Sequence, residues 1–446
     1  GSVLARRLSN AEYDYSILDL TGVDIRPTRE FPVDPANESG FDNSGESLTL
    51  SPALLQKYLA AARHVADHLL FLPDGLAFAP HPVVVYSDRD KYCVHRIIDF
   101  YQEQPTDYAD YFEAAWRFRH RSELNESGTT LEEIARAEGV SGMYLQTVWA
   151  ILTDSQNQAG PVAELRSRWS ALPVPDPGTT DEAVRARVRE ACEQLRAFVN
   201  DERAKLALSS DTPSRVDGLH SSNQAIVLWK DRDLAALRRL GKLPEPDGTL
   251  ETAQLREAIA GFCSTFPDTF YVSERGRMFL PPEKRNKGRL LSAGFHMMLG
   301  YFRDDAPLYD LILDSEDQKK LDAMWRELEF VPRTPVRQFA DFVYLERGES
   351  PAFLQSEEFA FALQDADVAS EEKMQRLARL YLAKVREARV NETVIPILAD
   401  YFDDMSARVR RLEQDESEAQ PLHLESLLNL AGRAWQRPLS TEERDD

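Results

Sequence analysis

SNAEYDYSILDLTG, residues 9–22, reads as one whole helix with both ends marked. Ser9 followed three residues on by Glu12 is a capping box: the hydroxyl accepts from the third helical amide, and the carboxylate reaches back to the amide of Ser9. Tyr13, Ile17 and Leu20 recur at helical spacing, and Gly22 supplies the left-handed stop. The same grammar returns downstream. Ser51-Pro52 opens a helix with proline at its first position and an apolar stripe of Leu55, Tyr58, Ala62, Val65 and Leu69. Ser315 with Gln318 caps a helix bearing Leu321, Met324, Trp325 and Leu328. Met374, Leu377, Tyr381 and Val385 mark another helix, and Ile397, Tyr401, Met405 and Leu412 the next. The predicted class is mainly α, with two or three helical subdomains and a minor short-strand element. Ala225 to Trp229 and Thr269 to Val272 are the candidate strands.

Proline and turn residues divide the chain. Asp24 to Leu50 is a long loop rich in Pro, Asn, Asp, Ser and Gly, and Pro73 to Pro82 reads as a linker. Thr153 to Thr180, with Pro161, Pro173, Pro175 and Pro177, reads as a further boundary. The expected organisation is an N-terminal helical module with its acidic loop over 1–78 and a helical subdomain over 83–160. A larger mainly helical domain over 178–420 and the start of a further module over 421–446 follow. Ser440 and Glu443 form another capping pattern shortly before Asp446, so the sequence leads one to expect that the native chain continues. Gly1-Ser2 reads as a cloning remnant, and no signal peptide follows it.

Acidic residues outnumber basic ones by 75 to 53, a net charge of −22. Such a field repels phosphate backbones, so no nucleic-acid partner is expected. No apolar run is long enough to span a bilayer. Three cysteines, Cys93, Cys192 and Cys263, make no disulfide framework. No Cys-x-x-Cys-His occurs, so no covalently attached heme is expected within this stretch.

Thr130 to Leu145 has the turn spacing of a helix-turn-helix. Its second helix, Gly142 to Leu152, carries no Lys or Arg, and base readout and phosphate anchoring need such donors. Met143, Val148, Trp149, Ile151 and Leu152 ask for a core instead. His64 and His68 stand four apart, a metal-ligand spacing, with no third ligand signalled nearby. Asp34, Glu38, Asp42, Asn43 and Glu46 offer oxygen ligands of the kind calcium takes, with Asp42, Asn43 and Glu46 the tightest group. That run lacks the alternation and closing Glu of an EF-hand, and Asx-turns explain it without metal. Arg275, Arg277, Lys284, Arg285, Lys287 and Arg289 cluster against the overall charge and suit an anion. A solvated loop paired with neighbouring acids is the plainer account. Cys93 and His95 are two apart, which diverges on a helix.

The densest chemistry is Phe295-His296-Met297-Met298 followed by Tyr301-Phe302-Arg303-Asp304-Asp305. His296 is a candidate general base, and Arg303 with Asp304 the candidate electrostatic partners. A Met and aromatic stripe is more often core, and an Arg-Asp pair more often locks a helix end.

RRLSNAEYDYSILDLTGVDIRP (6–27), FPVDPANESGFDNSGESLTLSP (31–52) and DRDKYCVHRIIDFYQEQPTDYADYFEAAWRFRHR (88–121) stand in this order. GRLLSAGFHMMLGYFRDDAPLYDLIL (288–313) and RAWQRPLSTEER (433–444) follow. Together they resemble the large planctomycete cytochrome-associated proteins built from serial domains of unknown function. The resemblance implies an exported protein, periplasmic or at the cell envelope, with c-type cytochrome modules outside this stretch as its neighbours. It implies a link to extracytoplasmic electron transfer or polysaccharide breakdown, and gives no catalytic residue. The first functional expectation is therefore a non-catalytic helical scaffold or interaction region. The alternative is a hydrolase or lyase acting on an anionic polysaccharide through His296, Arg303 and Asp304.

Overall fold

The Ser9 and Ser440 capping patterns both start helices. Ser9 Oγ accepts from the amide of Glu12 while Glu12 accepts from the amide of Ser9. Thr130 and Glu133 do the same, as do Ser440 and Glu443. The computed structural model describes residues 7–34, 48, 50–154, 160–175, 182–205, 253–271, 301, 303, 305–340, 367–387 and 394–445.

The helices are α1 (Asn10–Thr21), α2 (Pro52–Ala66), α3 (Tyr86–Glu103), α4 (Tyr108–Arg119), α5 (Leu131–Glu138), α6 (Gly142–Thr153) and α7 (Gly160–Ser170). They continue as α8 (Glu182–Lys205), α9 (Ala253–Thr265), α10 (Ala306–Leu311), α11 (Ser315–Phe330), α12 (Glu371–Glu387), α13 (Val394–Ala434) and α14 (Thr441–Asp445). A 3₁₀ turn covers Pro27–Glu30, and β1 (Leu69–Leu72) pairs antiparallel with β2 (Gly75–Phe78). Among the described residues the protein is mainly α with a minor β element, the β1–β2 hairpin. Thr269 to Tyr271 form no strand, and Val272 and Ala225 to Trp229 lie outside the described residues.

The hairpin corrects two readings. Pro73 to Pro82 is no simple linker, because Pro73 and Asp74 are the two-residue turn between Leu72 and its partner Gly75. Leu69 is the first strand residue rather than the last of a helical stripe. The buried face of α2 is Leu54, Ala61 and Val65, whereas Leu55 is exposed. The one-residue rotation follows from the wall α2 meets: Val65 packs with Ile17 and Ile25, and Phe78 of the hairpin lies against the same cluster.

The chain forms two compact units. The first takes Gly1–Arg96, Ala323–Arg337 and Ser406–Asp446. Its distant segments meet through charge. Arg96 pairs with Glu327, and Arg337 reaches the buried Asp90 at 3.0 Å. Arg326–Asp415, Arg333–Glu416 and Arg408–Glu329 close at 2.8, 2.7 and 2.8 Å. His423 Nε2 donates to the carbonyl of Leu72 at 2.6 Å, with its ring against Phe71 and Phe330.

The second unit takes Ile97–Asp322 and Gln338–Met405. Its centre is α4, on which Tyr108, Tyr111, Phe112, Ala115 and Trp116 are all buried. A helix apolar over most of its circumference has to be enclosed by others, and α4 is packed by α5, α6 and α8. The buried hydroxyls and indole of α4 each find a carbonyl. Tyr108 donates to Pro267, Tyr111 to Pro105 and Trp116 to Pro173, at 2.6, 2.7 and 2.8 Å. From α6, Tyr144 donates to Thr265 at 2.7 Å.

The helix-turn-helix-like pair is α5 and α6, turned at Gly139, whose φ of 67° lies in the left-handed region. Tyr144, Leu145, Val148 and Leu152 of α6 are buried. Met143, expected inside, is exposed, since Tyr144 and Leu145 take the inward positions. At α11 the cap is Asp314, not Ser315: its Oδ1 accepts from the amides of Glu316 and Asp317, both at 2.9 Å. Met374, Leu377, Tyr381 and Val385 of α12 are buried as their spacing predicts, as are Tyr401, Met405 and Leu412 of α13. No described helix is long and apolar enough to cross a membrane.

Candidate functional site

Arg303 is the one described member of the candidate catalytic set; His296 and Asp304 lie outside the described residues. So do Asp42, Asn43 and Glu46, and the cluster of Arg275, Arg277, Lys284, Arg285, Lys287 and Arg289.

Around Arg303 the second unit builds a closed polar chain. Arg303 Nε donates to both oxygens of Asp305, at 2.9 and 3.0 Å. Asp305 is 3% exposed, and its Oδ2 also accepts from Tyr101 of α3 at 2.7 Å. The other end of the guanidinium donates to Asp322 Oδ1 of α11 at 2.5 Å, and Asp322 Oδ2 accepts from Tyr309 at 2.9 Å. The guanidinium also lies over the Tyr309 ring, 4.9 Å from its centroid. Tyr271 stacks on Tyr101 with centroids 4.6 Å apart and covers the buried end.

Electrostatics agree with the geometry. Burial pulls the Arg303 pKa down, but Asp305 and Asp322 outweigh it and hold the guanidinium above its ordinary value. The hydrogen bond to Asp322 raises Tyr309, and burial raises Tyr271. A general base needs a receptive oxygen facing substrate. Here both oxygens of each carboxylate accept from a member of the network. The arrangement fixes Arg303, Asp305 and Tyr309 between α3 and α11.

The described partners of Arg303 lie further along the chain than the sequence pattern suggests. That pattern sets Arg303 beside Asp304, whereas these partners are Asp305, two residues on, and Asp322, nineteen on. Pro307 inside the first turn of α10 marks Asp305 as the N-cap position, yet its side chain caps nothing and turns to Tyr101 and Arg303. Tyr101 is 204 residues away from Asp305, and no local pattern signals it.

Other candidates separate cleanly. Cys93 is buried, and burial raises its thiol far from a reactive value; His95 two residues on is exposed. Among the described residues, no group of three or more His, Cys, Asp or Glu side chains is arranged to hold a metal ion. His64 and His68 do meet, ring edge to ring face, with centroids 5.0 Å apart.

Sequence reasoning missed a cleft in the first unit. A cavity of about 430 Å³ at the turn from α13 to α14 is lined by Arg433, Gln436, Arg437, Leu439 and Arg444 among others. Arg437 grips Glu443 with two hydrogen bonds and lies 5.2 Å from the centroid of Trp435, which is exposed. That grip, with the Ser440 amide, lowers the Glu443 carboxyl to about 2. Arg433 spends one nitrogen on the carbonyl of Asp19. The RAWQRPLSTEER stretch carries this whole constellation, but only the fold turns its arginines toward one space.

A family described as a protein of unknown function (DUF1587) matches residues 6–70, the part of the first unit that runs through α1 and α2 to the first residues of β1. No curated protein and no solved structure matches the chain.

Proposed function

We propose that this chain is a non-catalytic helical interaction region of a larger exported protein, seated beside c-type cytochrome modules and presenting a surface to anionic polysaccharide. The observation that carries the non-catalytic reading is the Tyr101–Asp305–Arg303–Asp322–Tyr309 chain. Arg303, the described member of the candidate catalytic set, spends its charge on Asp305 and Asp322. The exported setting and the cytochrome neighbours rest on the resemblance of 6–27, 31–52 and 88–121. The polysaccharide surface rests on the cleft, lined by three arginines on a chain of net charge −22, and on the exposed Trp435, whose ring lies against one of them, Arg437. An aromatic face suits a sugar ring, and a guanidinium fork suits its carboxylate or sulfate.

Calorimetry of the whole chain with a polyuronate and a neutral glucan, at two salt concentrations, tests this. The expected result is polyuronate binding that weakens in salt and is lost on joint reversal of Arg433 and Arg444 to Glu, with no product released. Release of polyuronate fragments that stops in Arg303→Ala, while its melting temperature holds, would replace this reading with a hydrolase or lyase.

A further inference from the structure

The junction between α2 and the hairpin holds a histidine whose second nitrogen is unaccounted for. His68 follows the end of α2 and is 3% exposed. Ala79, just past β2, fixes it twice. The Ala79 amide donates to the His68 carbonyl at 2.8 Å, and His68 Nδ1 meets the Ala79 carbonyl at 2.8 Å. A carbonyl only accepts, so Nδ1 carries the proton and Nε2 keeps its lone pair. That Nε2 is buried with no hydrogen-bond partner among the described residues. Leaving such an acceptor dry and unsatisfied is costly.

We propose that His64 and His68 form a two-imidazole site for a divalent transition-metal ion, taking copper(II) ahead of nickel(II) and zinc(II). The four-residue spacing brings the rings to 5.0 Å, with planes 89° apart. The backbone carbonyl on Nδ1 is the usual outer partner of a ligating histidine: it sets the tautomer and fixes the ring. Metal ligands must be unprotonated, and burial first, then His64 and His81, lowers the His68 pKa. His64 is exposed on the last turn of α2, so its ring turns from the edge contact toward the ion without disturbing the core. His81 stays outside the set, its Nδ1 3.0 Å from the Pro82 carbonyl. Two nitrogens and water form an incomplete cage, so the site exchanges its ion readily, and the metal order follows the general stability series for nitrogen ligands.

Titration of the whole chain with copper(II), followed by calorimetry and electron paramagnetic resonance, tests the site. One ion per chain is expected, with hyperfine structure from two nitrogens. His64→Ala, at an exposed position, keeps the melting temperature of the parent without metal and weakens copper binding by at least about tenfold; His81→Ala binds as the parent does. A parent chain that takes no copper, a spectrum without the two-nitrogen pattern, or unchanged affinity in His64→Ala would each overturn the proposal.

Discussion

Segments far apart in sequence are joined in both units, but with a different mix of contacts. In the second unit aromatic joints, in which Tyr108, Tyr144 and Trp116 reach through packed rings to single carbonyls, stand beside ion pairs between α8 and α4 at Arg189–Asp110 and Arg196–Asp107. In the first unit the joints are ion pairs, and most stand partly in water, as at Arg326–Asp415 and Arg333–Glu416. Burial of aromatic area stabilises strongly and is indifferent to salt; a hydrated ion pair stabilises weakly and is screened. The second unit therefore adds a few large aromatic terms to its small ones. Each unit also carries buried cysteine, Cys93 in the first and Cys192 with Cys263 in the second, so thiol labelling reports the opening of each separately. Burial pushes the Cys192 thiol up to about 12, and it reacts only once its surroundings open.

The largest effect is expected from Phe266→Ala. The ring is fully buried against Tyr108, Phe112 and Phe262, and its loss costs about 3–5 kcal/mol. In urea, Cys192 and Cys263 should label early while Cys93 keeps its parental midpoint. Simultaneous labelling of all three would show that the two units open as one.

Arg337→Ala comes next. It strands Asp90, whose side chain is 1% exposed, at a cost of about 1–3 kcal/mol. Burial already raises the Asp90 pKa against the pull of Arg337. A carboxyl raised in the folded state binds more protons there than when unfolded, so folding gains as pH falls toward that value. The deficit of Arg337→Ala should thus shrink on acidification, and Asp90→Asn should restore most of it at neutral pH. Thermal melts across pH with Cys93 labelling check both.

His120 behaves oppositely in the second unit. It is buried against Trp116, and burial lowers its pKa, with Glu123 opposing. A lowered imidazole gives stability that is present above its ordinary value of about 6.5 and fades as pH falls below it. His120→Gln should flatten that acid slope; an unchanged slope assigns the loss elsewhere. The smallest effects belong to Arg326→Ala and Arg333→Ala, about 0.2–1 kcal/mol each and less in high salt. A larger, salt-independent loss would break the contrast between the units.

What was legible in the sequence was local. Capping pairs three residues apart and apolar residues at helical spacing announced α1, α2 and α12 because the interactions involved lie within one turn. The hairpin was missed because LLFL continues the apolar phase of α2, although Pro73-Asp74-Gly75 between LLFL and LAF is a turn signal. Gly75, with φ 150°, is where another residue would strain, and an added Cβ would stand 3.0 Å from Ser426 Oγ. At the candidate site Arg303 was legible as a residue of interest, but its role was not. Its partners Asp305 and Asp322 and their ally Tyr101 come together only through tertiary packing.

Three donors of α4 end on carbonyls of Pro105, Pro173 and Pro267, residues that offer no amide of their own. One helix thus anchors three separate connecting segments. In kinetic terms α4 belongs to the nucleus of the second unit. Its amide protons should exchange with deuterium last, through complete opening of that unit, while those of the surface helices escape by fraying.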